Sequence, residues 1–142
     1  MVSRKVLYDT SVYIDALRRQ DTSKLLARGS TSEVLSLSAV VLEELYAGAD
    51  ESTAKLLSKL QRDFDGAKRL LVPELSDWAT TGRLIARIGE KCGYERIGRS
   101  RLTNDALIAT SASRTGAVVL TINARDFGLI AEFLPSFRWE TI

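Results

Sequence analysis

The 142-residue chain contains no histidine, and that absence excludes more chemistry than any one residue supplies. Without an imidazole, neither a Ser-His-Asp nor a Cys-His nucleophilic mechanism can be assembled, and the usual histidine-bearing zinc sites are excluded too. Cysteine is almost as scarce. Cys92 stands alone, so no internal disulfide can form, and a reducing cytoplasm suits the chain. Cys92 reads as a small hydrophobe near a helix end. No apolar run approaches the ~20 residues needed to cross a bilayer. The opening residues 1–5 lead straight into a strand-like segment with no signal-peptide core between, so a cytoplasmic protein without membrane association is expected. There is no P-loop, no GxGxxG, no repeat, no low-complexity tract and no linker. A single domain over residues 1–142 is the expected organisation.

What is present is ordinary in bulk. Hydrophobic residues make up 45% and charged residues 27%, enough for a core without staples. A net charge of +2 is too small to imply a nucleic-acid partner by itself. Arg96, Arg99 and Arg101 do cluster within six positions, either as a solvated loop or as a place to grip phosphates.

Short apolar segments at 6–8, 34–37, 70–72, 117–121 and 137–140 read as strands. Helical spacing is expected over 10–19, 38–48, 51–64, 76–91, 103–114 and 123–131, with a further short helix at 23–28. Thr10, Ser11 and Ser38 suit helix caps. Residues 94–101 read as a charged loop. The uniformly apolar 117–121 suits a central parallel strand. Strands alternating with helices imply an α/β fold, a mainly parallel sheet covered on both faces. Ligands in such folds collect beyond the carboxyl ends of the strands.

Four acids sit near those ends. Asp9 follows the first strand, Glu44 opens the helix after the second, and Asp126 lies just past the strand 117–121. Asp105 opens a helix whose Leu102, Ile108, Ala109 and Ala112 share its face. Each has a bland alternative: a cap or turn for Asp9 and Asp126, a helix-start charge for Asp105, a partly exposed helix residue for Glu44. Glu44 shares a face with Val40 and Val41, whereas Glu43 reads as a surface residue. Asp15, Asp63, Asp65 and Asp77 read as solvated or helix-end charges. Carboxylates gathered near a core repel and are costly to desolvate, so a cation should neutralise them. With no histidine and one cysteine, a hard divalent ion with oxygen ligands is the natural candidate.

The segments Leu7-Tyr8-Asp9-Thr10-Ser11, Glu44-Leu45-Tyr46-Ala47-Gly48, Thr103-Asn104-Asp105-Ala106-Leu107-Ile108-Ala109 and Thr121-Ile122-Asn123-Ala124-Arg125-Asp126-Phe127, in that order, resemble the PIN-domain ribonucleases. More narrowly, they resemble the VapC-type toxins of type II toxin–antitoxin systems. The resemblance implies a three-layer α/β/α fold and a metal-dependent endoribonuclease using Mg²⁺, with Mn²⁺ as a substitute. It also implies a VapB-type antitoxin partner and a homodimer. It carries the acidic quartet onto Asp9, Glu44, Asp105 and Asp126 as catalytic and metal-holding residues. Thr10, Thr121 and Asn123 match positions that support the acids. Arg99, Arg101 and Arg125 are our own candidates for the RNA backbone. Two other readings stand beside it: a PIN-like module that binds RNA or protein without turnover, and a phosphate-handling domain with Asp9 as nucleophile. The latter is weakened because no second acid flanks the first strand and no lysine follows a late one.

Overall fold

The structure is a computed structural model, and it describes residues 3–21, 32–93 and 100–142, with the side chains of residues 100 and 101 outside the description. The expected helix at 23–28 lies outside the described residues. Five strands run as β1 (Arg4–Tyr8), β2 (Glu33–Ser38), β3 (Leu70–Leu71), β4 (Val118–Thr121) and β5 (Arg138–Thr141). The helices among the described residues are α1 (Thr10–Arg18), α2 (Ala39–Ala47), α3 (Glu51–Gly66), α4 (Leu75–Cys92), α5 (Ser100–Thr115) and α6 (Ala124–Phe133).

The strands form one sheet in the order β3-β2-β1-β4-β5. All four pairings are parallel, so the sheet among the described residues is wholly rather than mainly parallel. From β1 the chain builds outward through β2 to β3, then returns to the other side of β1 for β4 and β5. The strand order therefore reverses between β1 and β4, and the crevice at the carboxyl ends of those two strands is where such a sheet accepts ligands. Register fixes the crevice: Val6 pairs with Val118, Leu7 with Val119 and Tyr8 with Leu120. The backbone N–H of Asp9 then donates to the Leu120 carbonyl at 3.1 Å, which draws the first residue after β1 toward the end of β4.

The central strands bury their apolar side chains on both faces, as expected where helices cover both. Leu7, Leu35, Leu37 and Val119 are fully buried, as are Leu57 and Phe64 of α3, Leu84 and Ile88 of α4, and Ile108 of α5. Gly93 ends α4 with φ of 87°, a conformation that a side chain would strain. The edge at β3 is two residues long, followed by exposed Val72 and then Pro73.

Two differences from the expected helix starts bear on the site. The N-cap of α1 is Asp9, and Thr10 and Ser11 lie inside the first turn. The helix α5 starts at Ser100, three residues earlier than expected, so Ser100 and Arg101 are helical and Asp105 sits in the second turn. The reason is packing. Leu102 is buried at helical spacing from Ala106 and Ala109, which places residues ahead of Thr103 on the same inward stripe. Ser38 caps α2 as expected, accepting from the Val40 N–H at 3.1 Å.

The long helices α4 and α5 are joined by polar contacts as well as apolar ones. Asp77, in the first turn of α4, is buried, and both its carboxylate oxygens accept from Arg114 Nε at 2.9 Å. Asp77 also accepts from the Glu74 N–H at 2.8 Å, closing a capping box. Further along the same interface the hydroxyls of Thr81 and Thr110 meet at 2.8 Å, both buried. Asp77 is thus an interhelical anchor rather than the simple helix-start charge that its sequence context suggests.

Candidate functional site

A cleft of about 1160 Å³ opens at the carboxyl edge of the sheet, and Asp9, Glu44, Asp105 and Asp126 all line it. They come from four places. Asp9 ends β1, Glu44 stands in the second turn of α2, Asp105 in the second turn of α5, and Asp126 in the first turn of α6. Asp9 is 3% exposed and Asp105 is 7% exposed, while Glu44 and Asp126 are half-buried nearer the mouth. Glu43 is exposed and, among the described residues, accepts a long contact from Asn104 Nδ2 at 3.5 Å, whereas Glu44 faces the cleft, as the facial argument expected.

Hydrogen bonds orient Glu44, Asp9 and Asp126. Thr10 Oγ1 donates to Glu44 Oε1 at 2.6 Å, tying α1 to α2. Ser11 Oγ donates to Asp9 Oδ1 at 2.6 Å. Asn123 Nδ2 donates to Asp126 Oδ2 at 3.0 Å. Thr121, fully buried at the end of β4, accepts from the Asn123 N–H at 2.8 Å and supplies a second hydroxyl to Asp9. Of the supporting residues read from the sequence, Thr10, Thr121 and Asn123 therefore all touch an acid or its turn. Ser11 was missed. Its spacing suited a helix cap, but the hydroxyl turns to Asp9 instead, and Asp9 makes no side-chain cap of its own.

Burial holds the Asp9 carboxyl above its ordinary range, with a smaller push from the nearby negative charge of Glu44. The hydroxyls of Ser11 and Thr121 and the Val12 backbone oppose the shift without cancelling it. The sign has a consequence for stability. A group with a raised folded pKa contributes stability that is complete below its unfolded value, about 4 for aspartate, and is lost as pH rises through the folded value. Ionised Asp9 thus costs the fold something at neutral pH. Asp9→Asn, melted in chelator, should be a few degrees more stable than the parent at pH 7, with the gap closing toward pH 4. A variant less stable than the parent at pH 7 would show that the carboxylate is needed structurally.

The donor set suits a hard cation: four carboxylates with hydroxyl and amide oxygens, and no softer ligand apart from Cys92 on the wall. Among the described residues no three acidic or thiol groups stand close enough to grip one ion together in these side-chain positions. The acids converge on one cleft while individually held by hydroxyl and amide neighbours. Arg125 also lines the cleft, is exposed, and brings positive charge beside Asp126. Arg96 and Arg99 lie outside the described residues, as does the side chain of Arg101, although its backbone belongs to α5. Exposed Glu132 adds a further acid to the rim.

The fold and the cleft together define a parallel α/β domain with an acid-lined crevice where its strand order reverses. The sequence model of the PIN domain matches residues 6–132, nearly the whole chain, and the protein belongs to that family. Solved structures with the same fold include the DNA-bound VapBC of Salmonella typhimurium, 22% identical, with 99% of this chain and 98% of that chain covered at a TM-score of 0.63. The VapBC2 of Rickettsia felis, bound to a promoter DNA fragment, is 22% identical with 97% and 98% covered at 0.66. The VapBC-1 of nontypeable Haemophilus influenzae is 18% identical with 96% and 97% covered at 0.64. No curated protein sequence matches the chain. No described helix is long and apolar enough to cross a membrane.

Proposed function

We propose that the protein is a divalent-metal-dependent endoribonuclease and the toxin member of a VapBC-type pair. The observation that carries this reading is the arrival of four carboxylates, from β1, α2, α5 and α6, in one cleft at the reversal point of a PIN-domain sheet. Asp9 and Asp105, the more deeply set pair, would hold Mg²⁺ (or Mn²⁺), with Glu44 and Asp126 contributing from the mouth. Such a cation, when bound, supplies a Lewis acid that activates water and neutralises charge at the scissile phosphate. The protein's own part is orientation. Thr10 sets Glu44, Ser11 sets Asp9, and Asn123 sets Asp126, each through a hydrogen bond. Arg125, and from the preceding segment Arg99 and Arg101, would neutralise phosphates flanking the cut.

A recessed acidic floor favours single-stranded or looped RNA, whose backbone can bend into the cleft, over a stiff duplex. The similarity to VapBC complexes supports a VapB-type antitoxin as partner, and a homodimer is the assembly we propose with it. A cytoplasmic site of action and a single domain over residues 1–142 go with this reading. The deciding experiment is cleavage of labelled single-stranded RNA by purified protein. EDTA should abolish it, and added Mg²⁺ or Mn²⁺ should restore it. Undiminished cleavage by rigorously chelated protein would sink the metal-dependent mechanism. No cleavage under any metal condition, with RNA binding retained, would favour the non-catalytic module instead.

A further inference from the structure

Ser11 stands at the junction of the two halves of the sheet. It belongs to the first turn of α1, just after β1, yet its hydroxyl reaches the turn after β4. The Ile122 N–H donates to Ser11 Oγ at 3.2 Å, and Thr121 Oγ1 stands 3.5 Å away. The serine hydroxyl has one proton to donate. That proton goes to Asp9 Oδ1 at 2.6 Å, the short distance expected of a charge-assisted bond. The neighbouring Thr121 is constrained in the same way. Its Oγ1 accepts from the Asn123 N–H at 2.8 Å. Successive backbone N–H groups of the β4–α6 turn thus occupy acceptor sites on the two hydroxyls, and the Ser11 proton is left for the Asp9 carboxylate.

We propose that Ser11 is a positioning residue for the metal-holding site: it fixes the rotamer of Asp9 and locks it to the β4–α6 turn, the segment that leads to Asp126. The inference rests on the nuclease reading only for what Asp9 then does. The coupling of Asp9 to Ile122 through Ser11 is a property of the chain alone. Loss of the hydroxyl frees Asp9 to rotate and leaves the Ile122 N–H without its acceptor. Groups that orient a metal ligand typically change affinity by about 10- to 100-fold when removed.

The test compares Ser11→Ala, Ser11→Cys and Ser11→Thr with the parent and with Asp9→Asn. Mn²⁺ binding, followed by electron paramagnetic resonance without RNA, should weaken roughly tenfold or more in Ser11→Ala. Ser11→Cys, which keeps the volume but offers only a weak donor, should behave alike if the alanine variant folds poorly. Ser11→Thr should return affinity to near the parent's, because it restores the hydroxyl. Parental affinity in Ser11→Ala and Ser11→Cys would overturn the proposal. A second readout uses metal-free protein: Asp9→Asn should shift the amide resonance of Ile122 when Ser11 is present and hardly at all in the Ser11→Ala background. Equal shifts in both backgrounds would also overturn it. A parent that binds no Mn²⁺ but shows the Ser11-dependent shift rejects the nuclease reading and keeps the coupling.

Discussion

If Asp105 is the metal ligand proposed above, Asp105→Asn is expected to lower metal-supported RNA cleavage by at least about 100-fold, since removing an oxygen ligand should cost no less than removing a group that merely orients one. Asp105 is 7% exposed in the same cleft as Asp9, and its neighbours Leu102, Ala106, Ile108 and Ala109 are buried. Asparagine preserves the shape and leaves those contacts alone, so the thermal midpoint should stay within a few degrees of the parent's. Glu44→Gln should also slow cleavage. Glu43→Gln should leave it near the parental rate, because Glu43 is exposed and outside the cleft. Initial rates on a labelled single-stranded RNA at saturating Mg²⁺ provide the measurement. A Glu43→Gln defect as large as that of Glu44→Gln would mean that the acids act through general surface charge and that the cleft is not the site.

The largest stability effect is expected far from the cleft. The Asp77 side chain is 3% exposed, and Arg114, at 31%, is its principal cation, with Arg114 Nη2 2.9 Å from Asp77 Oδ2 and Arg114 Nη1 3.4 Å from Glu74 Oε1. Removing one member of a buried ion pair strands the other charge, at a cost of about 3–5 kcal/mol. Arg114 is partly solvated, so water would reach part of the space it vacates, and the low end applies: Arg114→Met should lose about 3 kcal/mol in urea unfolding. Adding Asp77→Asn should recover part of that loss. Asparagine removes the stranded charge yet still offers an acceptor to the Glu74 N–H of the capping box. A single Arg114→Met variant within about 0.5 kcal/mol of the parent, the range of an ordinary surface change, would show that the bridge between α4 and α5 contributes little.

How legible this was depended on whether a feature was local. The strand positions, the order of helices and the parallel sheet followed from apolar segments punctuated by caps and glycines, because binary patterning is written residue by residue. The choice of Glu44 over Glu43 followed from one helical face. The early start of α5 was not legible, since the charged stretch before Leu102 masks a single buried leucine that only the packed core reveals. Among the pairings that the sequence could not supply, two that matter here are long-range and polar. Asp77 and Arg114 lie 37 positions apart, and Ser11 and Thr121 lie 110 apart. Nothing in a serine beside an aspartate says whether its hydroxyl will cap a helix or reach across a sheet. That choice is made by the register of β1 against β4.

That same register has a consequence for how the protein comes into being. The strand β4 must slide in beside β1 before Asp9 meets Thr121 and before α6 delivers Asp126, and these partners lie more than 100 positions apart in sequence. Parallel pairings of this separation form late, after most of the loop-closure entropy has been overcome. A nascent chain that has emerged through α5 already carries Asp9, Glu44 and Asp105 but has no crevice for them to share. If the cleft cuts RNA, the ribosome making the protein is spared until β4 and α6 have emerged, and fragments ending before β4 should be harmless.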